Sequence, residues 1–114
     1  VGRALDELAS VLEPGGTLVA VTNYGDHLSE LRQYFGTPRR RNPFAGEDAR
    51  AFLEARFSTT QEIDCTGSVT FADRAAALAY AQPSAAMFGK TYNLPELNAP
   101  LIVRRRPVIF VATK

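Results

Sequence analysis

Three side chains within five residues have the chemistry of a binding or acid–base site: Asn23, Tyr24 and His27. A carboxamide can position an acceptor heteroatom, a phenol can wall a pocket, and an imidazole can accept a proton near neutral pH. All three follow the apolar run Thr17 to Thr22, TLVAVT, which reads as a strand. They therefore lie just past a strand's C-terminal end, the edge at which ligands bind in open α/β sheets. The competing reading is structural, with Asp26 capping the next helix and His27 exposed on its first turn.

Other candidates carry less. Arg39-Arg40-Arg41 and Arg104-Arg105-Arg106 have the charge to grip RNA phosphates. A net charge of +1 gives no extended field to support that, and no aromatic side chains interleave with the arginines. The triplets read instead as a solvated loop and a charged lead into an edge strand, so nucleic acid is disfavoured as a partner. Gly89-Lys90-Thr91 resembles the tail of a phosphate-binding loop, but Ser84 stands where that loop needs glycine and Pro95 closes off the helix it needs. One cysteine, Cys65, and one histidine make neither an intrachain disulfide nor a typical structural zinc site, a usage suited to the reducing cytoplasm. Paired-carboxylate, nucleophile-elbow and metal-ligand spacings are absent. No apolar run reaches the ~18 residues that span a bilayer, so no membrane is expected as a partner. Apolar residues make up 46% and charged residues 22% of 114, enough for one folded domain over residues 1–114.

The elements that position these side chains follow from periodicity. Leu5, Leu8 and Leu12 share a helical face, which Pro14-Gly15-Gly16 terminates before the TLVAVT strand. That strand's unbroken apolar character predicts burial on both faces of a parallel sheet. A second helix runs from Asp26 to Phe35 and stops at Gly36; a third starts at Glu47-Asp48 and buries Ala49, Phe52, Leu53 and Phe57. Thr59 to Cys65 reads as extended, and so do Val69 and Phe71 after Gly67. Asp73 caps an alanine-rich helix that Pro83 interrupts, residues 84–100 read as irregular, and Val108 to Ala112 form a last apolar strand. Mixed helix and strand throughout favours an α/β layer arrangement.

The segment Leu5 to Thr22, LDELASVLEPGGTLVAVT, is similar to a stretch of class I, Rossmann-like, S-adenosylmethionine-dependent methyltransferases. There an amphipathic helix ends in Pro-Gly-Gly before the fifth strand of the sheet. The resemblance implies a partial methyltransferase sheet with flanking helices. Thr17–Thr22 would be its fifth strand, Thr59–Phe71 its sixth and Pro107–Thr113 its seventh, the last antiparallel. It also implies that Asn23, Tyr24 and His27 face the acceptor substrate, a small molecule in preference to RNA or protein.

The departure from that family matters as much. No G-x-G occurs anywhere, and the ribose-binding acid and fourth-strand motif would precede Val1. The expectation is the C-terminal, substrate-side portion of such an enzyme, without its cofactor-binding half and inactive alone. S-adenosylmethionine would be the full-length enzyme's cofactor, with no cofactor-binding residue, metal ligand or catalytic residue assigned in this chain. Val1 in place of Met points to sequence upstream. The alternative is a non-catalytic α/β module that associates through an exposed sheet edge as a homodimer or swapped assembly.

Overall fold

Leu5 anchors α1 (Gly2–Val11), and the chain reverses after it through the Pro14-Gly15-Gly16 turn. Gly15 takes φ +83°, a left-handed conformation that costs glycine little, and its N–H donates to the Lys114 carbonyl at 2.9 Å. The Lys114 ammonium donates to the carbonyls of Ala9 and Leu12 at 2.6 and 2.7 Å, so a cation satisfies the negative end of the helix. The chain then enters β1 (Thr17–Asn23). The remaining elements are α2 (Ser29–Phe35), α3 (Gly46–Glu54), β2 (Thr59–Asp64), β3 (Gly67–Phe71), α4 (Arg74–Ala81), β4 (Leu101–Arg105) and β5 (Pro107–Thr113). This computed structural model describes residues 1–37, 42–81 and 94–114.

The elements form two compact units. In the first, β1, β5 and β2 make a three-stranded sheet in that order. β5 lies at the centre and runs antiparallel to both neighbours, from Thr17↔Thr113 to Asn23↔Pro107 on one side and from Thr59↔Thr113 to Asp64↔Val108 on the other. β1 and β2 therefore point the same way. Val108, Phe110 and Ala112 alternate inward along β5 and bury completely against Leu5, Ala49, Leu53 and Phe57. Period-two alternation selects that face, and the helices cover it.

Two expectations change here. β1 is not an interior strand of a parallel sheet, because every ladder among the described strands is antiparallel. Its burial alternates, and Val19 and Val21 remain 60% and 66% exposed. An unbroken apolar run implies two covered faces only when elements exist to cover both; here α1 and α3 pack one. The strand after the second arginine triplet is likewise not an edge but the centre of the sheet, where its apolar composition is best buried.

In the second unit, β3 and β4 pair antiparallel from Gly67↔Arg105 to Phe71↔Leu101, with α2 and α4 packed against them. Leu28, Leu31, Phe71, Ala77, Ala81 and Val103 form its core. Thr59–Phe71 is thus two strands in two sheets rather than one sixth strand. The Asp64 carboxylate accepts from the Thr66 backbone N–H at 2.8 Å and from its hydroxyl, closing the turn that separates them. Asp73 caps α4 as expected, accepting from the Ala76 N–H at 2.8 Å. Asp26 does not cap α2: that helix starts at Ser29 after Leu28 in the left-handed region at φ 57°, and Asp26 binds Arg104 instead at 3.1 Å.

Thr60 Oγ1 is buried without a hydrogen-bond partner among the described residues. An unsatisfied buried hydroxyl loses its hydration and regains nothing. Thr60→Val should therefore raise unfolding free energy by about 1 kcal/mol, read as a higher urea midpoint at unchanged m. An unchanged or lower midpoint would contradict it.

Candidate functional site

Tyr24 is the best-held of the three candidate residues. Its N–H donates to the Arg106 carbonyl at 2.9 Å, extending the β1–β5 ladder by one pair. Its hydroxyl donates to Glu62 Oε1 at 3.1 Å, and the Arg106 guanidinium lies 4.6 Å from the ring centroid. The ring's other contact is Gly46, where a Cβ would come within 2.5 Å of Tyr24 Cδ1. Desolvation raises the phenol above its ordinary pKa of 10.0, reinforced by the hydrogen bond and charge of Glu62.

Charged groups alternate around this ring. Arg50 binds Glu54 at 3.1 Å and Glu62 at 3.5 Å, while Arg106 approaches Asp64 at 4.0 Å and Thr66 Oγ1 at 3.3 Å. The Thr66 hydroxyl, followed by its backbone N–H, holds the Asp64 carboxyl below the ordinary carboxylate value. Glu47 takes the Gly25 N–H between its two oxygens at 2.8 and 3.1 Å. Asn23 ends β1 opposite Pro107, half-buried, with no side-chain hydrogen bond among the described residues. Beside it, Thr22 Oγ1 donates to the Phe44 carbonyl at 2.7 Å and accepts from Asn42 at 3.3 Å. An open cleft of about 580 Å³ adjoins Glu47, lined also by Pro43, Asp48, Ala51 and Phe52.

Asn23 and Tyr24 thus come together in the first unit, whereas His27 belongs to the second. There the Leu28 N–H donates to the Arg104 carbonyl at 3.0 Å, tying the turn that carries His27 to β4. Desolvation lowers the His27 pKa from 6.5, and the charges of Arg32 and Arg105 lower it further against Asp26. The imidazole is neutral at pH 7 and able to accept a proton. Because the folded value lies below the unfolded one, the folded state binds fewer protons between the two. Stability should be complete above pH 6.5 and fall as pH drops from 6.5 through the folded value. As the chain's one histidine, its C2 proton resolves alone in NMR, and a midpoint at or above 6.5 would refute this.

Sequence reasoning missed Glu47, Glu62 and Arg106 as partners of this site. Only tertiary pairing joins positions 38 and 82 residues apart in the chain, Glu62 and Arg106 from Tyr24. Two members of the second triplet are occupied internally, Arg104 by Asp26 and Glu30 and Arg106 by the Tyr24 cluster. Arg39-Arg40-Arg41 and Gly89-Lys90-Thr91 lie outside the described residues. The one glycine in the turn after β1, Gly25, gives its amide to a carboxylate, and no glycine-rich turn follows any described strand.

Among the described residues there is no His/Cys/Asp/Glu grouping able to hold a metal, and no helix long and apolar enough to cross a membrane. The chain matches no family model and no curated protein.

Proposed function

We propose that this chain is the substrate-side portion of a class I S-adenosylmethionine-dependent methyltransferase. In this reading the whole enzyme works in the cytoplasm on a small-molecule acceptor rather than RNA or protein. The observation that carries the reading is the sheet order β1-β5-β2, with β5 antiparallel to both neighbours. It accompanies the helix, Pro-Gly-Gly, strand unit of Gly2–Asn23, and an antiparallel last strand is what the resemblance implies. The direction of β5 supports the reading, since the resemblance implies an antiparallel seventh strand.

The chain's own contribution is positioning. Asn23 presents a carboxamide at the strand end with no hydrogen bond among the described residues, and Tyr24 presents a ring fixed by Gly46, Arg106 and Glu62. His27 belongs to the second unit, and its imidazole, neutral at pH 7, is able to accept a proton. Holding an acceptor heteroatom in one orientation replaces an encounter with a unimolecular approach. The reading assigns cofactor binding outside this chain, because no glycine-rich turn follows a described strand.

Calorimetric titration of S-adenosylmethionine tests the proposal on two polypeptides. The 114-residue chain should give no binding heat, and a polypeptide extended upstream of Val1 should bind it and methylate small acceptors. An extended polypeptide with no affinity for S-adenosylmethionine ends the methyltransferase reading. Replacing Asn23, Tyr24 and His27 together by alanine in the extended form should lower turnover by at least about tenfold. Unchanged turnover would remove these residues from the substrate side.

A further inference from the structure

The turn before α2 gathers positive charge around the chain's one histidine, and Leu28 anchors it. The Leu28 side chain lies in the core of the second unit with Leu31 and Val103, and its N–H donates to the Arg104 carbonyl at 3.0 Å. Its backbone takes φ 57°, a left-handed conformation that a bulky residue rarely adopts. Such a conformation persists only where the surroundings over-determine it, and such residues cluster at ligand clamps and active sites.

Three basic side chains are placed from that anchor, all in the second unit. His27 immediately precedes Leu28 and is half-buried. Arg32 comes one helical turn later, its N–H donating to the Leu28 carbonyl at 3.1 Å. Arg105 follows Arg104, and period-two alternation sets it on the face of β4 that carries the buried Val103. The charges of Arg32 and Arg105 both act on the imidazole, each more strongly than that of Asp26.

The acids of this turn are engaged with a different arginine. Asp26 and Glu30 bind the Arg104 guanidinium at 3.1 and 3.6 Å, and Glu30 also accepts from the Arg104 backbone N–H at 3.2 Å. The Arg105 side chain makes no ion pair or hydrogen bond among the described residues. Like charges held around one half-buried imidazole repel, and a bound anion relieves that repulsion.

We propose that His27, Arg32 and Arg105 bind a phosphate group of a small molecule, two guanidinium groups and a ring N–H donating to its oxygens. Guanidinium forks match phosphate geometry, and a dianion answers both arginine charges where a single carboxylate answers one. Assigning that phosphate to the methyl acceptor rests on the methyltransferase reading; the site itself does not.

A bound dianion favours the imidazolium, so phosphate binding and His27 protonation are linked. The charged groups around the ring on its turn, α2 and β4 are Asp26, Glu30, Arg32, Arg104 and Arg105. NMR titration of the His27 C2 proton in the 114-residue chain tests the site, in about 20 mM inorganic phosphate against sodium chloride of equal ionic strength. Phosphate should raise the His27 pKa by at least about 0.5, which is about threefold tighter binding to the protonated form. Arg105→Gln, at an exposed position, should raise the pKa in chloride by removing a repelling charge and should abolish the further rise in phosphate. Arg3→Gln, an exposed arginine of α1, should leave the phosphate response intact. An unchanged pKa in phosphate overturns the site. So does an equal rise in acetate at the same ionic strength, or a phosphate response that survives Arg105→Gln. Those results leave the methyltransferase reading standing, and an extended polypeptide without affinity for S-adenosylmethionine leaves this site standing.

Discussion

Phe110→Ala should lower unfolding free energy by about 3–5 kcal/mol. Among the described residues Phe110 is the largest completely buried side chain, and it sits mid-strand in β5, opposite Ala20 of β1 and Glu62 of β2. It points into the space bounded by Leu5, Leu53 and Phe57, so its removal leaves a cavity lined by both helices. β5 is held on both edges and cannot move inward to fill it, which puts the cost toward the upper end of the range. A domain of this size has roughly 5–15 kcal/mol of stability in all, so this one change removes a large share. Phe110→Leu, nearer in volume, should cost about half as much. Urea denaturation provides the measurement, and a loss under about 1 kcal/mol would mean that Phe110 is not the packing centre of this unit.

The second large effect is at Gly46. Its need for glycine is spatial rather than conformational, because its φ is not positive. A Cβ there would lie 2.5 and 2.7 Å from Tyr24 Cδ1 and Cε1, and 3.0 Å from Val108 Cγ1. Val108 is completely buried, so the ring must give way. It cannot swing without leaving the Arg106 guanidinium and the Glu62 carboxylate. Gly46→Ala should therefore destabilise by about 1–3 kcal/mol, although alanine favours the helix by up to about 1 kcal/mol. The Tyr24 phenol, freed of Glu62, should titrate closer to 10.0, observable by ultraviolet absorbance. A double-mutant cycle with Tyr24→Ala isolates the clash: Gly46→Ala should cost little once the ring is gone. Equal cost in both backgrounds would show that the strain lies elsewhere.

Sequence and tertiary structure share the account of this site unevenly. Local chemistry was legible. Leucine spacing and Pro14-Gly15-Gly16 marked α1, its end and the start of β1, while Asp73 marked the start of α4. Asn23 and Tyr24 were correctly set at a strand end. Asp26 was misread because a carboxylate before a helix has two uses, and Arg104, 78 residues away, competes for it successfully. β4 went unassigned because three consecutive arginines hide the alternation of its apolar residues, in which only Val103 is fully buried.

By itself the sequence determined the local elements, since helix faces, capping and turn chemistry depend on residues within a few positions. It also determined where chemistry-bearing side chains sit on those elements. Only the tertiary structure decided that β5 enters between β1 and β2, that Thr59–Phe71 divides between two sheets, and that Tyr24 shares its surroundings with Gly46, Glu62 and Arg106. The reason is physical. An apolar strand is equally content in a parallel or an antiparallel ladder, and its neighbours are chosen by which distant segments can bury the same face.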